Sequence, residues 1–184
     1  MNWSESLPPS GPDKGVSATA DRPLATVVVS DAGPLIALGR LDLLQVLQHL
    51  FAQVQEPDEV IFECMARPGN ADTVRIRAAL DSGLLLRCVA PPLALAGLDL
   101  GECAALSRAL EIGAAVLVDE RAARTRAVAL GIVVTGTLGV LARARRRGLI
   151  GPLMPLIDTL RASGQRLSHQ AVAQALAASG EAPN

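Results

Sequence analysis

Thr26-Val27-Val28-Val29-Ser30-Asp31-Ala32-Gly33-Pro34-Leu35-Ile36 is the stretch from which the rest of the chain is read. Residues 24–29 are apolar and rich in β-branched side chains, the composition of a strand buried on both faces of a sheet. Gly33-Pro34 ends the strand, and Pro34 suits the first turn of a helix. Asp31 therefore stands where a buried strand gives way to a helix. In open α/β sheets that is the edge beside which ligands bind. A carboxylate there is either a helix cap or a site residue.

The same arrangement recurs further on. Residues 114–118 form a short apolar strand that ends in Asp119, just before a helix over 120–130. One such Asp is explained by capping. Two at the ends of neighbouring parallel strands would be brought together by the fold.

Between and beyond these strands the pattern alternates. Two short helical patterns lie in 35–51, broken near Gly39-Arg40, and residues 52–55 suit a short strand. Pro57 opens a helix to about residue 65, on which Val60, Ile61 and Cys64 share a face. Glu63 borders that face, whereas Glu59 points away. A helix over 71–81, a strand over 84–89 and a loop over 91–97 follow. Glu102 enters the first turn of the helix to residue 112, where the helix dipole favours an anion; that position suits structure and chemistry equally. Residues 132–134 form a further strand, with Thr137 as N-cap of the helix 138–147 and Gly148 as its stop. Arg145, Arg146 and Arg147 at that helix end suit either its dipole or a phosphate. Helices near 154–162 and 168–178 complete the chain, and residues 1–23 read as a flexible tail.

Composition narrows the classes. The 184 residues fit one domain, and half of them are apolar but only 2% aromatic, so Leu, Val, Ile and Ala must build the core. No apolar run reaches the ~20 residues of a membrane-spanning helix, and the N-terminus lacks the order of a signal peptide, which together suggest a cytoplasmic protein. Cys64, Cys88 and Cys103 lack the paired spacing of a zinc site and read as buried thiols. His49 and His169 are too few for a histidine metal centre and give little support to a Ser-His-Asp triad. The net charge of −1 provides no global field for nucleic acid.

Alternating strands and helices imply an α/β fold with a mainly parallel sheet and helices on both sides. Its candidate site gathers Asp31, Glu63, Glu102 and Asp119. Carboxylates without His or Cys suit a hard divalent ion such as Mg2+ or Mn2+. Without a cation their like charges repel, and with one they can activate water and stabilise the leaving oxygen of a phosphodiester.

The residues Val29 to Ile36 of the opening stretch, Pro57 with Val60 and Glu63, and Leu100-Gly101-Glu102-Cys103-Ala104-Ala105-Leu106 together resemble the PIN-domain nucleases, in the prokaryotic branch related to the VapC toxins. Leu117-Val118-Asp119-Glu120 with Arg124, the run Val134-Thr135-Gly136-Thr137-Leu138-Gly139-Val140-Leu141, and Arg147-Gly148-Leu149-Ile150 extend the likeness over residues 25–178. The resemblance implies a PIN-like three-layer α/β/α domain over 24–150, with a helical extension over 151–184 packed on it. It also implies a Mg2+- or Mn2+-dependent endoribonuclease, a hydrolase held inactive as the toxin of a toxin–antitoxin pair by a small antitoxin. The acidic site maps to Asp31, Glu63, Glu102 and Asp119, supported by Ser30, Arg124 and Thr135. In many PIN domains the third acid is an Asp in a differently worded helix start, where this chain has Glu102 after Gly101.

Other classes are less well served. A phospho-acceptor receiver domain needs an adjacent acidic pair on its first strand and a late Lys, but Lys14 is the last lysine. A haloacid-dehalogenase-like phosphatase needs a second Asp two residues after Asp31, where Gly33 stands. The remaining alternative is a PIN-like fold acting as a catalytically inactive nucleic-acid-binding or regulatory module. Apolar helices on a nearly neutral chain suggest a face covered by another chain, either a second copy in a dimer or an antitoxin.

Overall fold

The computed structural model describes residues 24–91 and 93–181; the tail expected over 1–23 lies outside the described residues. Strand β1 (Leu24–Ser30) leads to helices α1 (Ala32–Arg40) and α2 (Val46–Leu50). Then come β2 (Phe51–Pro57), α3 (Asp58–Cys64) and α4 (Ala71–Asp81), and β3 (Leu86–Cys88) with α5 (Leu100–Ile112). β4 (Ala115–Leu117) and α6 (Arg121–Ala129) follow, and β5 (Val134–Thr135) precedes α7 (Thr137–Arg146), α8 (Leu153–Ala162) and α9 (His169–Ser179).

The five strands are all parallel, in the order β3-β2-β1-β4-β5. β1 is the centre of the sheet. Val29 lies opposite Gln55 of β2 on one side and Val116 of β4 on the other, which explains why Val28, Val29 and Ser30 are wholly buried. The chain builds outward from β1 through β2 and β3, then returns to place β4 and β5 on the other side. The order thus reverses between β1 and β4, and a crevice opens beyond their carboxyl ends. Asp31 follows β1 and Asp119 lies just past β4, so both strand-ending acids stand at that crevice, as the repeated strand-Asp-helix pattern predicts.

Helices cover both faces, giving the α/β/α layering expected of the pattern. Leucine fills the core: Leu35 and Leu38 of α1, Leu106 of α5 and Leu141 of α7 are fully buried, with Ile157 and Leu160 of α8. Each such side chain contributes roughly 1.5–3 kcal/mol of burial. α9 packs against α7. Glu181 just beyond α9 pairs with Arg145 at 2.7 Å and accepts the Leu153 N–H at 3.1 Å, which ties the last helices to the domain. Cys64, Cys88 and Cys103 are free thiols. Among the described residues no helix is long and apolar enough to cross a membrane.

Several local expectations shift: β3 is Leu86–Cys88 within the strand expected over 84–89, and β5 is Val134–Thr135 rather than 132–134. β2 continues through Glu56 to Pro57 rather than stopping at residue 55. Thr137, expected as the N-cap, is instead the first helical residue of α7, with Gly136 in the cap position, and its N–H donates to the Asp119 carboxylate across the sheet edge.

Candidate functional site

Asp31 occupies the N-cap position of α1 in extended conformation, yet its side chain makes no capping hydrogen bond. It is only 7% exposed, and its Oδ1 is buried without a partner. Burial pushes its pKa up to about 7; the Ala32 amide draws it down, while Glu63, Asp99 and Glu102 push it further up. Asp31 is therefore an acid held in a place that does not stabilise its charge.

What surrounds it is more carboxylate. The position a Cβ on Gly101 would occupy lies 3.2 Å from Glu63 Oε2, 3.5 Å from Asp99 Oδ1 and 3.7 Å from Asp31 Oδ1. Three acids from the end of β1, from α3 and from the entry to α5 thus converge on one gap, and the gap exists because residue 101 has no side chain. Glu63 reaches it from the exposed border of α3, and its pKa is raised by desolvation and by Asp99 and Glu102.

Glu102 does two things. With Asp99 it closes a capping box: the Glu102 N–H donates to Asp99 Oδ1 at 2.8 Å, and the Asp99 N–H donates to Glu102 Oε2 at 3.0 Å. Its carboxylate is nevertheless buried and near enough to raise the pKa of both Asp31 and Glu63. Desolvation raises its own pKa, against the Asp99 amide, which lowers it.

Asp119 faces another way. Its Oδ1 accepts the Thr137 N–H at 2.8 Å, and its Oδ2 accepts the Thr137 hydroxyl at 2.5 Å and the Gln165 amide at 3.5 Å. The fold places it at the neighbouring strand end, but its contacts are with the start of α7 rather than with the Gly101 gap. Arg124 stands beside it and donates to Val118 O at 2.9 Å. Gly136 permits this: a Cβ there would lie 2.7 Å from Asp119 Oδ1 and 2.9 Å from Arg124 Nη1. Ser30 is buried and donates to the Asp31 carbonyl at 2.9 Å. The Thr135 hydroxyl lies 2.9 Å from where a Cβ on Gly139 would be, at the end of β5.

Two acids escape the pattern reading. Asp99 was recoverable, since an Asp three residues before a Glu at a helix start spells a capping box. Glu56 was not. It lies on β2, one residue past the pairing of Gln55 with Val29; it is fully buried, and neither carboxylate oxygen has a partner among the described residues. Desolvation, and secondarily Asp31, raise its pKa well above the ordinary value.

Among the described residues no group of three or more His, Cys, Asp or Glu side chains is closed into a metal-holding arrangement. The donor chemistry still fits a hard divalent cation. The oxygens are carboxylates, one of them is buried without a partner, and a glycine leaves the space between them.

Residues 27–181 match the family model of the PIN domain. Comparison with curated proteins gives no match. Among solved structures the chain is similar to a PilT N-terminus domain protein from the hyperthermophilic archaeon Sulfolobus solfataricus P2, with 16% identity over 78% of this chain and 98% of that one, and a TM-score of 0.45. The family match takes in most of the chain, including every acid just described, and the chain belongs to the PIN-domain family, whose fold is generally that of a nuclease.

Proposed function

We propose that the protein is a divalent-metal-dependent ribonuclease. The observation that carries this reading is the convergence of Asp31, Glu63 and Asp99 on the gap at Gly101, with Asp31 Oδ1 buried and unpartnered. A buried carboxylate without a partner is costly, so it is retained where something other than the bare fold uses its charge. Asp31, Glu63 and Asp99 would hold Mg2+ or Mn2+ in the gap, with Glu102 beside them, while Asp119 stands at the neighbouring strand end and holds the start of α7. When bound, the ion offsets their mutual repulsion and supplies Lewis-acid stabilisation and an activated water for phosphodiester hydrolysis. Asp31 orients the centre from the end of the central strand. Ser30, donating to the Asp31 carbonyl, fixes the backbone there, and Arg124 and Thr135 line the neighbouring strand ends.

The finer reading is the toxin of a toxin–antitoxin pair. Phe62 and Leu100 flank Glu63 and Gly101 in sequence and are 82% and 80% exposed, apolar surface that an antitoxin or a second copy would cover. A catalytically inactive module is the second reading, and one observation favours it: Glu102 and Asp119 already have backbone partners.

The experiment is Mn2+-dependent cleavage of a mixed pool of structured RNAs, with chelation as control. Cleavage that disappears with chelator and in Asp31→Asn supports the enzyme. No cleavage, together with no Mn2+ binding by calorimetry, supports the inactive module. Cleavage that survives chelation would overturn the mechanism.

A further inference from the structure

Helix α6 begins Arg121-Ala122-Ala123-Arg124-Thr125-Arg126, which gathers three guanidiniums within two turns. Six arginines elsewhere, on α1, α4, β3, α5, α7 and α8, are ion-paired with Asp or Glu. Those of α6 make no ion pair among the described residues. Arg124 is tied to Val118 O, Arg126 donates weakly to Ala96 O at 3.5 Å, and the Arg121 side chain has no hydrogen bond among the described residues.

Arg121 and Arg126 line a groove of about 580 Å³ between α6 and the loop at Ala96, Gly97 and Leu98, with Thr125 and Glu120 also in its wall. Both walls run into the carboxylate site. The loop continues directly to Asp99 and Gly101, and the helix wall starts at Glu120, next to Asp119. Two positive charges against one negative make this groove locally basic on a chain whose net charge is −1.

We propose that the α6 groove seats the phosphodiester backbone of the strand that enters the carboxylate site, Arg121 and Arg126 each holding a phosphate beside the scissile one. This rests on the ribonuclease reading above. A guanidinium presents a planar fork of donors that matches phosphate, and it cannot lose its charge at neutral pH. The groove wall carries no aromatic side chain for a base to stack on, so binding there follows the backbone and not the base sequence. The arrangement also resolves an electrostatic difficulty: a polyanion approaching clustered acids needs a neighbouring cationic track to hold it.

The test measures a fluorescein-labelled oligouridylate by anisotropy, in chelator, on Asp31→Asn protein so that no strand is cut. Arg121→Gln with Arg126→Gln should weaken binding roughly tenfold or more at about 0.1 M salt, and should lower the slope of log affinity against log salt by about 1.4, the value for two lost single-strand phosphate contacts. Arg121→Lys with Arg126→Lys, which keeps the charge and guards against a loosened loop, should retain most of the affinity and slope. Arg161→Gln on α8 should leave both unchanged. In otherwise native protein with Mn2+, the double Gln variant should raise KM with little change in kcat. An unchanged affinity, slope and KM in that variant, with cleavage intact, overturns the groove and leaves the ribonuclease standing. Weakened binding with no cleavage in any protein overturns the ribonuclease and leaves the groove.

Discussion

Asp31 sits at a helix cap without capping, which decides between the two readings its position allows. The oxygens of a cap residue would accept N–H groups of the first turn; here one oxygen is buried and unused. Asp31→Asn should therefore fold normally and abolish Mn2+ binding, and at pH 8 its metal-free form should melt no lower than the parent. The sign follows from the raised pKa. Between its unfolded value of 3.8 and its folded value of about 7, the native state keeps a proton that the unfolded state has lost, so metal-free stability contributed by this group declines as pH rises through that window. Metal affinity runs the opposite way, rising with pH up to about 7 and levelling above, because the ion displaces the proton. Calorimetric titrations at several pH values, beside thermal melts of chelated protein, check both slopes. Gly101→Ala separates structure from site in one substitution. An added methyl in the first turn of α5 should stabilise the helix by up to about 1 kcal/mol. The exposed end of Glu63, 3.2 Å away, can yield, but the gap would be filled and Mn2+ affinity should drop at least tenfold. An Ala variant that binds metal as the parent does would remove the gap from the site.

At the scale of elements, the acids divide by what they hold in place. Asp119 joins β4 to α7 through the Thr137 N–H and hydroxyl, so Asp119→Ala should destabilise by about 1–2 kcal/mol, the range for a lost cap, whereas Asp119→Asn keeps part of that bond. Thermal or urea melts of the two variants distinguish them; equal melting of Ala variant and parent would mean the carboxylate does not hold α7. Glu56→Gln removes the charging of an acid that β2 buries without a partner. Since the Glu56 pKa is raised, parent stability falls as pH climbs above the ordinary glutamate value of 4.5, and the Gln variant should lack that slope and gain on the parent at alkaline pH. These same elements show what a sequence reveals. The strand before Asp31 was legible nearly to the residue, because a buried parallel strand is an unbroken apolar run, and the helix Ala71–Asp81 has the expected bounds. Glu56 was not legible, since a Glu before a proline reads as loop, and only pairing with β1 buries it. Nor was the role of Asp119 as the cap of a helix 18 positions away, which depends on β4 lying beside β5. Local signals predicted local structure; long-range bonds needed the register.

For the molecule as a whole, the strand order explains why acids scattered along the sequence serve one edge. β1 lies at the centre, the order reverses between β1 and β4, and the acids from β1, α3 and α5 meet at the carboxyl end of that junction. The family match over residues 27–181 extends past this junction to include α8 and α9. Whether this junction binds a divalent ion can be read from anomalous scattering by crystals equilibrated with Mn2+. A manganese peak is expected in the gap beside Gly101, about 2.0–2.6 Å from Asp31 Oδ1 and from at least one oxygen of Glu63 or Asp99. Ordered carboxylates there with no peak at millimolar Mn2+, or a peak bound only elsewhere on the molecule, would contradict it.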